Sequence, residues 1–226
     1  MTKSGAPSTA ARRVNAADAG IVLAERSLFE AAVKRTLDIV GALAGLLVTA
    51  GVYLWFRRVV QRESPGPVFY RQMRVGRGGK PFMLYKFRSM IPDAEQRLAK
   101  LFSRNEMTGP VFKVRDDPRV FPTGRWLRHH YLDELPQFWN VLRGEMSLVG
   151  PRPPVPEEVA GYEPHHFVRL AVKPGISGTW QIVRDPVTDF EEIVRLDREY
   201  VEHGTILTDW KILYRTVRKA ISGGGW

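Results

Sequence analysis

Residues 131–154 read YLDELPQFWNVLRGEMSLVGPRPP, and this stretch decides how the rest of the chain is arranged. It begins with two adjacent carboxylates, Asp133 and Glu134, and ends in a rigid Pro151-Arg152-Pro153-Pro154 segment. The apolar residues between them predict a short helix that stops at Gly144. Acids at one end and an arginine fixed between prolines at the other suit phosphate and metal chemistry.

The Asp133-Glu134 pair has two interpretations on sequence grounds. Asp133 stands where a helix begins, and an aspartate there commonly caps the free backbone amides. A helix start is also a natural anion site, and two nearby cations, Arg128 and Arg152, exceed what a cap needs. Asp and Glu supply the oxygen ligands that Mg²⁺ prefers, and Mg²⁺ usually also contacts substrate phosphates. The pair is therefore a candidate catalytic and metal site.

The chain as a whole is basic, which restricts its partners. Its 226 residues include 34 Lys and Arg against 24 Asp and Glu, so the net charge is +10. Such a surplus favours polyanions: nucleic acid, anionic lipid or phosphorylated substrates. The chain has no cysteine. This excludes disulfides and thiolate metal sites, and it fits a protein that faces the cytosol.

Residues 39–56, IVGALAGLLVTAGVYLWF, carry no charge and predict a membrane element. At 1.5 Å per residue this segment is roughly 27 Å long, close to the thickness of the hydrocarbon core. Lysine and arginine residues flank both ends, so the positive-inside rule gives no orientation. A re-entrant helix that bends at a glycine and returns to the same face would satisfy both flanks. A spanning helix and a buried soluble helix are the alternatives.

The expected fold class is α+β and mainly helical. It combines a re-entrant or spanning membrane helix with a cytosolic domain built from helices and a β-hairpin. Residues 68–70 and 82–87 predict the two strands, and residues 208–221 predict a basic amphipathic helix on the membrane surface. We expect three segments: a disordered tail and lead-in helix at 1–33, the membrane-embedded helix at 34–62, and the catalytic domain at 63–226.

Five motifs stand in fixed order between Lys34 and the C-terminus. They read KRTLDIVGALAG, SPGPVFYRQMRVGRGGKPFMLYKFRSM, KVRDDPRVFPTGRWLR, LDELPQFWNVLRGEMSLVGPRPP and KPGISGTWQI. Together they resemble the bacterial sugar transferase family, the monotopic phosphoglycosyl transferases. The resemblance implies transfer of a sugar-1-phosphate from a nucleotide sugar, usually a UDP-sugar, to polyprenyl phosphate, with release of UMP. It also implies the bacterial inner membrane as the location.

The resemblance gives roles to individual residues. By match, Asp133 is the nucleophile that attacks the β-phosphorus and carries a covalent phosphosugar, and Glu134 is its partner, with Mg²⁺ at the pair. Cations must offset the charge, because an anion attacks an anion. The expected phosphate-binding cations are Arg128, Arg152, Lys86 and Arg88. The remaining candidates are Asp197, Gln137 and Gln181. A structural ion pair with an arginine is the alternative for Asp197.

The chain departs from the family pattern in three places. The Ser-Pro pair that usually breaks the membrane helix is Ala50-Gly51 here, which leaves re-entrant and spanning helices both open. The residue two before Asp133, commonly Ser, is Tyr131. After Gln181, where the family usually has a small polar segment, this chain has Ile182-Val183-Arg184-Asp185-Pro186. This change points to an altered sugar preference.

The expected partners are a UDP-sugar, polyprenyl phosphate and inner-membrane phospholipids, with a homodimer possible and no nucleic acid. A different class of function is a membrane-anchored basic protein that binds anionic lipid or nucleic acid without catalysis. That alternative explains the charge and the apolar segment, but it does not explain acids inside a basic field. A glycosidase is excluded, because adjacent acids cannot flank a bond at the roughly 5–9.5 Å its mechanism needs.

Overall fold

The computed structural model describes residues 27–183 and 187–223. Most of the predicted tail, residues 1–26, lies outside the described residues, and so does Arg184-Asp185-Pro186 of the altered segment. Within the described parts, the fold is α+β and mainly helical, as predicted, with two small two-stranded sheets.

A single helix, α1 (Leu28–Glu63), combines the predicted lead-in and membrane segments. Ser27 starts it with a capping box: its hydroxyl accepts from the Glu30 amide, and the Glu30 carboxylate accepts from the Ser27 amide. α1 is helical through Ala50-Gly51. The re-entrant break is therefore absent here, because both residues keep the backbone amide that a proline would remove. Among the described helices, α1 is the one long and apolar enough to cross a membrane.

One face of α1 packs along the domain over most of its length. Near the start, the Asp38 carboxylate accepts a hydrogen bond from the Ser147 hydroxyl at 2.9 Å. In the middle, Gly45 lies directly against the Phe138 ring. Near the end, Phe56 is fully buried in an aromatic cluster. The helix is thus part of the core, and it is not a detached anchor.

The opposite face of α1 is apolar and exposed. Its exposed large side chains are Val40, Leu43, Leu47, Val48, Leu54 and Trp55. A contiguous apolar surface of this kind marks an interaction site. Along the uncharged part of α1, residues 39–56, it supports association with a membrane.

Two strands follow α1 and form the predicted hairpin. β1 (Phe69–Val75) pairs antiparallel with β2 (Pro81–Phe87), and Tyr70 lies opposite Lys86. Gly78 in the connecting turn has a φ of 67°, a conformation that glycine adopts at little cost. β1 extends beyond the predicted residues 68–70. The residues that follow Tyr70 still alternate between exposed and more buried positions as far as Arg74.

The remaining elements are short and surround the central stretch. The helix α2 (Pro122–His129) precedes residues 131–154, and the helix α3 (Phe138–Arg143) lies within them. A second sheet pairs β3 (Ser147–Val149) in parallel with β4 (Gly175–Ser177). Three more helices complete the described fold: α4 (Pro156–Ala160), α5 (Phe190–His203) and α6 (Ile206–Ser222). Within the described residues, five 3-10 segments lie at Arg77–Gly79, Leu98–Arg104, Leu132–Gln137, Pro164–Leu170 and Trp180–Ile182.

The last helix, α6, presents its apolar face to the surface. Ile212 is buried, and it anchors α6 to the domain. Trp210, Tyr214, Val217 and Ile221 are more than half exposed. This exposed apolar face favours the predicted membrane-surface helix.

Candidate active site

The Asp133-Glu134 pair is held in a tight turn between α2 and α3. Tyr131 has a φ of 57°, a left-handed conformation that is uncommon outside glycine. A 3-10 helix, Leu132–Gln137, starts immediately after it. Tyr131 occupies the cap position, and Asp133 lies inside the first turn. The interpretation of Asp133 as a helix cap is therefore wrong.

Glu134 is anchored to the hairpin by an ion pair. Its carboxylate lies 2.7 Å from the Lys86 ammonium of β2, and both side chains are largely buried. Burial raises the pKa of Glu134, but Lys86 and the nearby Arg152 and Arg74 outweigh it, so the net pKa is lowered. Glu134 is therefore ionised at neutral pH.

Asp133 has the opposite pKa shift. The residue is buried, with 7% of its surface exposed. Burial raises its pKa, and the charge of Glu134 adds to this effect, while Lys86 and Arg128 oppose it. A carboxylate with a raised pKa is more basic, and hence more nucleophilic, than an ordinary surface aspartate once it is ionised.

The charges of both central arginines act on the acid pair, Arg128 on Asp133 and Arg152 on Glu134. Arg128 donates from Nε to the Ser89 hydroxyl at 2.8 Å, and its charge acts on Asp133. Arg152 Nη1 lies 3.3 Å from the Glu158 carboxylate, and the Arg152 side chain is 28% exposed. The site therefore combines two acids with cations from β2, α2 and the Pro-rich loop.

Two predicted site residues are engaged elsewhere. The Arg88 guanidinium is buried, and it donates to the Ser64 hydroxyl, the Ser64 carbonyl and the Pro67 carbonyl. It fixes the end of α1 to the hairpin through these contacts, and its predicted phosphate contact stays a prediction. Asp197 forms an ion pair with Arg169 at 2.8 Å, with both side chains 1% exposed. This is the structural ion pair that was the alternative for Asp197.

The two predicted glutamines lie close to the acid turn. Gln137 ends the 3-10 helix and is buried. Gln181 lines a cavity together with Glu134. Its Oε1 atom is buried without a hydrogen-bond partner among residues 27–183 and 187–223. An unpaired buried acceptor is costly, so Gln181 stays a candidate for substrate contact.

Two cations near the site escaped the sequence analysis. Arg74 is buried and donates to the Pro153 carbonyl at 2.8 Å, beneath the Pro-rich loop. Lys113 lies with its ammonium 5.7 Å from the Trp180 ring centroid. Burial, with Arg152 and Lys219, lowers the pKa of Lys113 to about 8. Two features of the sequence could have indicated these cations. Lys113 lies within the apolar segment VFKV, and Arg74 lies on a strand whose side chains alternate between the two faces of the sheet.

A second group of possible metal ligands lies away from this turn. His165, His166 and Glu191 bring their donor atoms within 4.8 Å of one another. His166 Nδ1 accepts from the Glu163 amide at 2.9 Å, and His166 Nε2 contacts Glu191 at 2.7 Å. Both ring nitrogens of His166 are therefore engaged within the protein. This arrangement favours a hydrogen-bonded cluster over a metal centre.

The fold and the site together define a class of protein. It is an α+β protein with one long apolar helix and a pair of acids, Asp133 and Glu134, surrounded by cations. The sequence model of the bacterial sugar transferase family matches residues 29–223. The chain belongs to this family.

Similar proteins include transferases of several bacteria. The galactosyl transferase CpsE of Streptococcus agalactiae is 48% identical over 193 residues, 85% of this chain and 43% of that protein. An undecaprenyl-phosphate galactose phosphotransferase of Salmonella typhimurium is 39% identical over 198 residues, 85% of this chain and 41% of that protein. The exopolysaccharide production protein ExoY of Sinorhizobium fredii is 35% identical, with 81% and 83% covered. The chain thus spans about two fifths of the first two relatives.

Proposed function

We propose that the chain transfers a sugar-1-phosphate from a UDP-sugar to polyprenyl phosphate, such as undecaprenyl phosphate, and releases UMP. Family membership supports the general reaction, since relatives are named undecaprenyl-phosphate galactose and N-acetylgalactosamine phosphotransferases. The observation that carries the proposal is the buried Asp133-Glu134 pair, with opposite pKa shifts, among cations. A protein that binds anions by charge alone has no use for acids buried in its basic field.

The proposed reaction has two steps at Asp133. In the first, a carboxylate oxygen of Asp133 forms a bond to the β-phosphorus, and the bond from that phosphorus to the bridging oxygen breaks. UMP leaves with that oxygen. In the second, an oxygen of the lipid phosphate attacks the same phosphorus, and the Asp133 carboxylate leaves unchanged. Carboxylate nucleophiles that form acyl phosphates occur in other enzymes.

Lys86, Arg128 and Arg152 are proposed to offset the charge of the reacting phosphates. Cations held in place in a buried site stabilise the negative charge of a reacting phosphate more strongly than the same cations do in water. Arg88 is left out, since its donors are used by the end of α1.

The acid pair also fits Mg²⁺. Asp133 and Glu134 supply two carboxylates, and Mg²⁺ is commonly bound by one or two carboxylates together with waters and substrate phosphates. When bound, the ion would supply positive charge to the diphosphate. Glu134 keeps its Lys86 contact on one oxygen, which leaves its second oxygen for this role.

We propose that the catalytic domain faces the cytosol at the bacterial inner membrane, where nucleotide sugars are available. The exposed apolar faces of α1 and α6 support the contact with phospholipid. A homodimer and the absence of a nucleic-acid partner stay predictions from the sequence.

The reaction is tested by intact mass spectrometry of detergent-solubilised protein with Mg²⁺ and a panel of UDP-sugars. With the correct sugar, the protein gains the mass of one phosphosugar and releases one equivalent of UMP. Asp133→Asn abolishes both, because an amide cannot act as the nucleophile. Asp116→Asn is the matched control: Asp116 is exposed, so this variant keeps the adduct. An adduct that survives in Asp133→Asn would show that the nucleophile is another residue.

A further inference from the structure

A cavity of about 170 Å³ lies beside Glu134, between the acid turn and α6. Its surface is mostly carbon. The apolar lining is formed by Leu135, Phe138, Ile176, Ile182, Val217 and Ala220. The cavity therefore brings an apolar space next to the most polar part of the molecule.

The cavity continues into the exposed apolar face of α6. Val217 lines the cavity and is 58% exposed. Trp210, Tyr214 and Ile221 extend the same apolar character along α6, with exposed fractions of 54%, 65% and 78%. An apolar chain that reaches α6 from a membrane thus meets a continuous apolar surface that ends at the catalytic turn.

Most polar side chains in the cavity wall are already bonded within the protein; the exception is Gln181, whose buried Oε1 atom has no partner among residues 27–183 and 187–223 and can accept but not donate a hydrogen bond. Lys219 Nζ donates to the Gln181 carbonyl at 2.9 Å, and His130 Nδ1 contacts the Ala220 carbonyl at 2.8 Å. The hydroxyls of Ser177 and Thr216 are bonded to each other at 2.5 Å. A uracil ring in this space would bury its two carbonyl oxygens without these donors, which is costly. A hydrocarbon occupant has no such requirement.

We propose that this cavity holds the isoprenyl units nearest the phosphate of the acceptor lipid. The inference rests on the proposed function, and it adds the place where the acceptor chain binds. The size is suitable, because an apolar protein cavity of roughly 150 Å³ can hold benzene, and an isoprenyl unit has five carbons. The attached phosphate then lies at the cavity end marked by Glu134, within the field of Arg152 and Lys86.

The test fills the cavity and follows the two half-reactions separately. Ala220→Leu adds three carbons to a half-buried position in the lining. Ala99→Leu is the matched control, with the same atoms added at an exposed position. We expect the KM for polyprenyl phosphate to rise about tenfold or more in Ala220→Leu, since burial of each CH₂ contributes roughly 0.8 kcal/mol. Ala99→Leu keeps the wild-type KM. Formation of the phosphosugar adduct from the UDP-sugar reports that each variant is folded.

Short acceptors distinguish an isoprenyl chain from any lipid tail. Geranyl phosphate and decyl phosphate both carry ten carbons, but only the first is branched and unsaturated. We expect the wild-type protein to use geranyl phosphate with the lower KM, and Ala220→Leu to remove this preference. Equal use of the two by the wild type would overturn the isoprenyl assignment and indicate a general acyl site.

Two further outcomes would reject the cavity as the acceptor site. One is an unchanged KM for polyprenyl phosphate in Ala220→Leu. The other is a raised KM for the UDP-sugar in the adduct-forming step, which would make the cavity a nucleotide site. Failure of the wild-type protein to form any adduct is a separate result, because it rejects the proposed function itself.

Discussion

Lys113 is a partly buried cation among other cations, and its titration reports on substrate binding. Its pKa is lowered from an ordinary 10.5 to about 8 by burial and by Arg152 and Lys219. A diphosphate bound at Arg152 would bring negative charge close to Lys113 and raise this pKa. The free protein at pH 9 then holds Lys113 mostly neutral, and the complex holds it protonated. Binding at pH 9 therefore takes up a proton, by linkage.

We expect this uptake in calorimetric titrations of a UDP-sugar into Asp133→Asn protein, which binds without reacting. The apparent enthalpy at pH 9 should depend on the ionisation enthalpy of the buffer, with a slope near one proton. At pH 7 the slope falls toward zero, because Lys113 is protonated in both states. Adding Lys113→Met removes the slope at pH 9. A slope that persists in this double variant would assign the proton to another group.

Two of the three glycines in α1, Gly45 and Gly51, differ sharply in their surroundings. A Cβ atom at Gly45 would overlap the Phe138 ring, while a Cβ atom at Gly51 meets nothing within 4 Å. The close approach of α1 to α3 therefore depends on Gly45. Phe138 also lines the proposed acceptor cavity, so a shift of α1 away from α3 would disturb that cavity.

We expect Gly45→Ala to destabilise the protein by roughly 1–3 kcal/mol, the usual cost of overpacking. Gly51→Ala, the matched control, stabilises it by roughly 0.5–1 kcal/mol, because alanine loses less backbone entropy in a helix. Thermal unfolding in one detergent measures both. Equal shifts in Tm would mean that the α1–α3 contact is looser than described.

Elements with local signals were predictable from the sequence, and those set by distant contacts were not. The hairpin and the end of α3 at Gly144 follow from turn residues, and Gly144 indeed has a φ of 80°. The contacts of Arg88 could not be predicted, because its partners Ser64 and Pro67 stand more than twenty residues away. Asp133 was identified through the family motif, since its residue type alone fits a cap equally well. The sequence could not show whether α1 breaks at Ala50-Gly51, because glycine permits a bend without forcing one.

The whole molecule is built around α1, which contributes to two of its apolar clusters. Ala42 belongs to the cluster with Met146, and Phe56 belongs to the cluster with Phe87 and Leu127. Removing α1 would expose both clusters. The polar contacts of Lys34 and Asp38 with the domain would be lost as well.

We expect a truncated chain of residues 64–226 to lack a cooperative thermal transition and to aggregate. The full chain in detergent is the control, and it should unfold cooperatively. Near-ultraviolet circular dichroism and size-exclusion chromatography separate the two outcomes. A monomeric truncated chain with native aromatic signals would contradict the assignment of α1 to the core.

The lengthwise contact between α1 and the domain leaves no hinge between anchor and active site. With α1 placed in a bilayer, the acid turn would keep a constant height relative to it and could not swing out to collect a substrate. For the proposed reaction, the two substrates must arrive from different phases: the nucleotide sugar by diffusion through water, and the lipid phosphate by lateral diffusion in the membrane plane. Turnover would then depend on the surface density of the acceptor lipid rather than on its bulk concentration.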